Sequence, residues 1–150
     1  MDASEIIAAF GEKLGIELKL DEDGVCMFEA DGMIVTIHNL REIDVIAITG
    51  DLGEPPPWNL ENLYRSMLEA NYLFKDTSGA TISFNPESGR FALCRALPCK
   101  MLDSESFFAA AERFVSTLEV WTRLVRDYRG GTDGTDVGRA ELDTSKFLRV

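Results

Sequence analysis

The chain has 150 residues, enough for one domain with a hydrophobic core, and its 45% apolar and 27% charged content is typical of a globular protein. Its 26 Asp and Glu against 15 Lys and Arg give a formal net charge of -11. This balance argues against nucleic acid or a membrane surface as a partner, because both favour basic proteins. No stretch approaches the roughly 18 consecutive apolar residues of a membrane span, and the acidic N-terminal residues differ from a secretory signal, so we expect a cytoplasmic protein.

The first predicted helix covers residues 3 to 14. Asp2 and Glu5 have the spacing of a capping box. Gly15 suits the left-handed conformation that ends many helices. Apolar residues recur at helical spacing between these signals: Ile6, Ile7, Phe10 and Leu14. The pattern predicts a short amphipathic helix.

Three short runs with the composition of β-strands come next: residues 25 to 30, 33 to 38 and 43 to 49. Asp31-Gly32 between the first two is typical of a two-residue hairpin turn. Short connections make neighbouring strands antiparallel. Because apolar residues occupy both faces of the later two runs, these strands are either covered on both sides or offer an apolar surface to a partner.

The central helix is predicted over residues 58 to 74, between Pro55-Pro56-Pro57 and a polar, glycine-containing stretch. It carries two apolar stripes where a surface helix normally needs one. The first stripe is Leu60, Leu63, Met67 and Ala70, and the second is Tyr64, Leu68 and Tyr72. The second stripe is either buried in the same domain or meets another molecule, and periodicity alone does not decide between these.

Two more strands, over residues 81 to 85 and 91 to 97, are predicted to form a hairpin before a long helix over residues 104 to 128. The order is therefore helix, three strands, helix, two strands, helix. Strands that do not alternate regularly with helices favour an α+β fold with an antiparallel sheet.

The composition changes from Gly130, where glycine becomes frequent and periodicity is lost, as in a flexible linker. We expect one domain over residues 1 to 128 and a flexible tail over residues 129 to 150. Phe147 and Leu148 in this tail are either disordered or docked on the domain.

No specific catalytic or cofactor-binding signature occurs in the sequence. His38 is the single histidine, and no second histidine or paired cysteine motif accompanies it to make a zinc site. Cys26, Cys94 and Cys99 favour reduced thiols rather than a disulfide framework. We expect no metal, no cofactor and no enzymatic activity, although a small enzyme with an unrecognised site is an alternative. Apolar surface beyond the needs of one core favours a binding module or an obligate oligomer.

Several stretches resemble the type III secretion chaperones of the Tir chaperone (CesT-like) family. They are FGEKLG at Phe10 to Gly15, LDEDGVCMF at Leu20 to Phe28, LEANY at Leu68 to Tyr72, the hairpin turn from Ser88 to Leu93, and LEVW at Leu118 to Trp121. The resemblance covers about residues 1 to 128 and includes the order of the elements. It does not extend to the glycine-rich stretch that follows.

The resemblance implies a homodimeric, non-enzymatic chaperone in a bacterial cytoplasm, which holds the N-terminal segment of a secreted effector in a non-globular state. It implies a client groove on the first helix and first three strands: Ile7, Phe10, Leu14, Met27, Phe28, Ile34 and Thr36. It implies a dimer interface on the central helix: Tyr64, Leu68, Asn71 and Tyr72. A client strand can also add to a sheet edge. The alternative within the same fold is a module that sequesters a regulatory protein.

Overall fold

The computed structural model describes residues 1–130, so most of the predicted tail, including Phe147 and Leu148, lies outside the described residues. Three helices and five strands make up the described part: α1 Ala3–Leu14, β1 Val25–Ala30, β2 Met33–Leu40, β3 Val45–Gly53, α2 Leu60–Asn71, β4 Thr81–Asn85, β5 Arg90–Pro98 and α3 Ser104–Asp127. The predicted order of helix, three strands, helix, two strands, helix is confirmed.

The five strands form one fully antiparallel sheet in the order β1-β2-β3-β5-β4. The strands β1 and β4 therefore form its two edges. The β3–β5 pairing brings the two halves of the chain together, with Gly50 opposite Leu93. This long-range pairing joins the first three strands and the last two into one sheet.

The helices pack on one face of the sheet and build the core there. Phe10 of α1 is fully buried, and its ring makes edge-to-face contacts with Phe28 of β1 and Phe107 of α3 at centroid distances of 5.3 and 5.1 Å. Trp121 of α3 is also fully buried, and its Nε1 donates to the Asp76 carbonyl at 3.0 Å. The apolar stripes of α1 and α3 thus serve the core, as amphipathic helices on a sheet do.

Three elements differ from the prediction by more than one residue: β2 extends to Leu40, β3 covers Val45–Gly53 rather than residues 43 to 49, and α2 covers Leu60–Asn71 rather than residues 58 to 74. The third strand, predicted to end at residue 49, continues through Gly50 to Gly53. A Cβ at Gly50 would lie 2.6 Å from the Leu118 side chain, so glycine at this position lets β3 pass close under α3. The central helix is shorter than predicted and ends at Asn71. A single 3₁₀ turn, Tyr72–Phe74, follows it, with Leu73 and Phe74 at φ of 54°.

Candidate protein-binding surfaces

The second apolar stripe of α2 is exposed on the single chain. Leu63, Met67 and Ala70 of the first stripe are buried in the core. Leu68 and Tyr72 of the second stripe are 70% and 69% exposed. Tyr64, also of the second stripe, is exposed and lies edge-to-face against Phe91 at a centroid distance of 6.0 Å. Within residues 1–130, nothing covers this stripe.

The turn after α2 continues the exposed apolar surface. Leu73 and Phe74 hold left-handed conformations, which are unfavourable for bulky side chains, and both side chains are exposed. The Trp121 bond to the Asp76 carbonyl fixes the chain just beyond the turn. The exposed apolar surface of α2 therefore extends into this turn.

The sheet face opposite the helices is the second uncovered surface. Side chains alternate along each strand, so Val35 and Ile37 of β2 are buried under the helices while Ile34 and Thr36 point to the other side. Ile34 is 55% exposed, and Met27 of the adjacent β1 is 63% exposed. A depression of about 590 Å³ lies on this face, with Ile34, Thr36, His38, Thr49 and Cys94 among its lining residues. Its lining combines apolar side chains such as Ile34 with polar ones such as Thr36 and Thr49, so it offers a polypeptide both apolar contacts and hydrogen-bond partners.

The β1 edge beside this face presents unpaired main-chain groups. In the β1–β2 register, alternate residues bond to β2, and Val25, Met27 and Glu29 direct their main chains outward. Val25 is already satisfied, because its N–H donates to Asp21 Oδ1 at 2.8 Å and its carbonyl accepts from the Asp21 N–H at 2.9 Å. No strand within residues 1–130 pairs with Met27 and Glu29 on this side. An added strand would find two consecutive open positions there.

The residues predicted to form a client groove fall into two groups. Met27, Ile34 and Thr36 lie on the uncovered face. In the other group, Ile7, Phe10 and Phe28 are buried in the core, and Leu14 is half-buried at the end of α1. Their contact with a client stays a prediction. The first group offers side chains directly, whereas the buried residues of the second support the strand that carries Met27.

His38 lies half-buried on the uncovered face, and its Nε2 is 3.0 Å from Thr49 Oγ1. Burial lowers the pKa of His38 below its usual value. His38 therefore takes up a proton at a lower pH in the folded protein than in the unfolded chain. Neutral His38 contributes its full stability at pH values above the pKa of His38 in the unfolded chain. This contribution is lost as the pH falls from that value towards the lower pKa of His38 in the folded protein.

We predict that wild type loses more stability than a His38→Gln variant as the pH falls from 7.5 to 5.5, because Gln keeps a polar partner for Thr49 but does not titrate in this range. Urea unfolding of both proteins at each pH, at one protein concentration, measures the difference. Equal pH dependence in the two proteins would show that burial does not perturb His38.

The cysteines and acids form no reactive cluster within the described part. Cys26, Cys94 and Cys99 are all free thiols. Burial, with the nearby Asp21 carboxylate, raises the pKa of Cys26 to about 11, which keeps it protonated and unreactive at neutral pH. Among residues 1–130, no three His, Cys, Asp or Glu side chains are placed to hold a metal ion. No helix in the same range has the length and apolar character needed to cross a membrane.

Solved structures share this fold over most of the chain. The ExsC-ExsE complex matches with a TM-score of 0.71 and 23% identity, over 83% of this chain and 97% of that chain. The HopA1-SchA chaperone-effector complex matches with a TM-score of 0.65 and 18% identity, over 83% and 92%. The Yersinia pestis type III secretion chaperone SycH, in complex with a fragment of YscM2, matches with a TM-score of 0.63 and 14% identity, over 81% and 98%. Comparison with curated protein sequences finds no match.

The fold is therefore that of the type III secretion chaperones. Residues 5–122 match the model of the Tir chaperone protein (CesT) family, which is most of the described chain. The chain belongs to this family, and the resemblance of its motifs is confirmed. The match ends within α3, so it does not include the stretch from Gly130 onward.

Proposed function

We propose that this chain is a type III secretion chaperone, which binds the N-terminal segment of an effector, keeps it non-globular and soluble, and supports its delivery to the secretion apparatus. The observation that carries the proposal is the open β1 edge at Met27 and Glu29, directly beside the exposed Met27 and Ile34 side chains. Main-chain groups of an edge give affinity for any extended segment, and neighbouring apolar side chains add specificity.

The similar structures support this function by the partners that they contain. SchA and HopA1 form a chaperone-effector complex, and SycH is a type III secretion chaperone bound to a fragment of YscM2. This chain shares their fold and presents uncovered apolar surface. It acts in the bacterial cytoplasm, as a binding protein rather than an enzyme.

The chaperone is a homodimer whose subunits meet through α2. The exposed stripe of Tyr64, Leu68 and Tyr72 runs along one side of the helix and continues into the exposed Leu73 and Phe74. A two-fold axis across this stripe would bury apolar side chains of both subunits. Two client-binding surfaces on one rigid dimer also bind one long client segment more tightly than either surface does alone.

Ordering a client segment costs conformational entropy, so the holding surface must offer both main-chain bonds and apolar contacts. In this chain Met27, Ile34 and Thr36 supply the side-chain contacts, and Leu14 lies exposed enough at the end of α1 to add another. β1 packs against the helices through Phe28, which contacts Phe10 of α1 in the core that also contains Ile7. These residues all belong to the domain that we place over residues 1 to 128.

The function is tested by affinity capture of the tagged full chain from the cells that naturally produce it, with mass spectrometry of the bound proteins. A double variant, Met27→Asp with Ile34→Asp, places two charges on the proposed surface without touching the core. We expect the amount of captured effector to fall roughly tenfold or more, because the two new carboxylates would have to lose their water when a client strand docks.

Met101→Asp is the matched control, because Met101 is an 81% exposed methionine far along the chain from the strands of this surface. It should capture as much effector as wild type. Undiminished capture by the double variant would contradict the assignment of the surface. Capture of a transcription regulator in place of an effector would support the alternative of a sequestering module.

A further inference from the structure

The opposite edge of the sheet, β4, is closed where β1 is open. In the β4–β5 register, the main-chain groups of Thr81 and Ser83 face β5, opposite Cys94 and Ala92. The main-chain groups of every second residue face the other way. Ile82 and Phe84 therefore direct their main chains to the free side. A five-stranded sheet normally has two such edges, each a template for an added strand.

The side chain of Asn71 occupies the Ile82 position on this edge. Its Oδ1 accepts from the Ile82 N–H at 2.9 Å, and its Nδ2 donates to the Ile82 carbonyl at 3.2 Å. A primary amide carries a donor and an acceptor side by side, so this pair of bonds reproduces what a residue of a neighbouring strand would make. Asn71 is the last residue of α2, and the end of the helix places the amide over the edge.

The remaining positions on this side of β4 are also poor templates. The Ala80 N–H donates to the Thr77 carbonyl at 3.0 Å. The outward position after Phe84 is Pro86, which has no N–H to give. Of the outward residues of β4, Ile82 is closed and only Phe84 is left with a free N–H and carbonyl, whereas β1 offers two alternate residues, Met27 and Glu29.

We propose that Asn71 is a positioning residue that closes the β4 edge against strand addition, so that an incoming strand is directed to β1. The inference rests on the proposed function for the identity of that strand, but its test needs no client. Closure also prevents the β4 edges of two copies from pairing, which leaves the α2 stripe as the surface through which copies meet. The predicted place of Asn71 in the dimer interface thereby gains a specific physical role.

The test compares Asn71→Ala with wild type, using the full chain alone. Hydrogen exchange resolved to single amides should show the Ile82 amide exchanging about tenfold faster or more in the variant. Sedimentation velocity over a range of concentrations should show larger assemblies than wild type forms, since the segment Thr81–Asn85 is β-prone and carries the exposed Phe84. Unchanged tryptophan fluorescence, to which the buried Trp121 and the exposed Trp58 both contribute, shows that the domain is folded.

A second substitution separates edge closure from a merely structural tie between α2 and β4. Phe84→Lys places a lysine on the edge, a residue that discourages edge pairing. The double variant should sediment as Phe84→Lys alone does, while its Ile82 amide still exchanges fast. A protected Ile82 amide in Asn71→Ala, a fast amide without larger assemblies, or larger assemblies that Phe84→Lys does not reverse would each overturn the proposal. Failure of effector capture would leave these results unaffected, so the two proposals fail separately.

Discussion

Leu68→Asp is expected to convert the dimer into monomers with a mass near 16.7 kDa. Leu68 is 70% exposed on the single chain, so a charge there is compatible with folding of the monomer. In the proposed dimer the same position is buried against the partner subunit, and an unpaired buried charge costs about 3 kcal/mol or more. That free energy corresponds to a roughly hundredfold or greater weakening of association.

Light scattering coupled to size exclusion, at micromolar concentration, measures this change. Wild type should have twice the monomer mass across the range, and Met101→Asp should behave as wild type does because Met101 lies outside the α2 stripe. A Leu68→Asp protein that remains dimeric would show that α2 does not face the partner. A wild-type mass near 16.7 kDa would contradict the dimer itself.

Phe10→Ala is expected to destabilise the domain by about 3–5 kcal/mol, the usual cost of removing a fully buried phenylalanine. Phe10 is 0% exposed and contacts the rings of Phe28, Phe107 and Phe108. Its loss leaves a cavity where α1, β1 and α3 meet. Because whole domains are stable by only about 5–15 kcal/mol, the variant should unfold at a much lower urea concentration.

Phe10→Leu is the matched control for this position, since it keeps an apolar side chain and should lose about half as much stability or less. Both variants and wild type are unfolded in urea at one protein concentration, because dimerisation makes stability depend on concentration. A loss below about 1 kcal/mol for Phe10→Ala would contradict the core role. The burial of Phe10 also means that a charged substitution there tests folding rather than client binding.

The sequence predicts the ends of a helix or strand correctly where neighbouring residues determine them. Asp2 and Gly15 mark the ends of α1, and the structure has both the capping box and the left-handed cap. The strand and helix order followed from the apolar periods and the turn residues between them. The end of β3 was missed because glycine at Gly50 resembles a loop signal, whereas the real constraint is the Leu118 side chain of a distant helix.

The binding surfaces were predictable only in part. The second stripe of α2 was visible as surplus apolar residues, and its exposure on the single chain agrees with the interpretation that it meets another molecule. The apolar stripe of α1 could not be divided into core and groove, because periodicity does not show what covers a side chain. The pair of bonds between Asn71 and Ile82 joins the end of a helix to an edge strand, and no local pattern predicts such a contact.

The most direct test of strand addition at β1 is amide hydrogen exchange on the chain alone and in complex with the effector captured from the cells that naturally produce the chain. We predict that the Met27 and Glu29 amides, with which no strand of residues 1–130 pairs, become protected in the complex because an effector strand pairs with them. The Ile82 amide, already bonded to Asn71, should not change. Protection elsewhere with Met27 and Glu29 unchanged would contradict strand addition at β1.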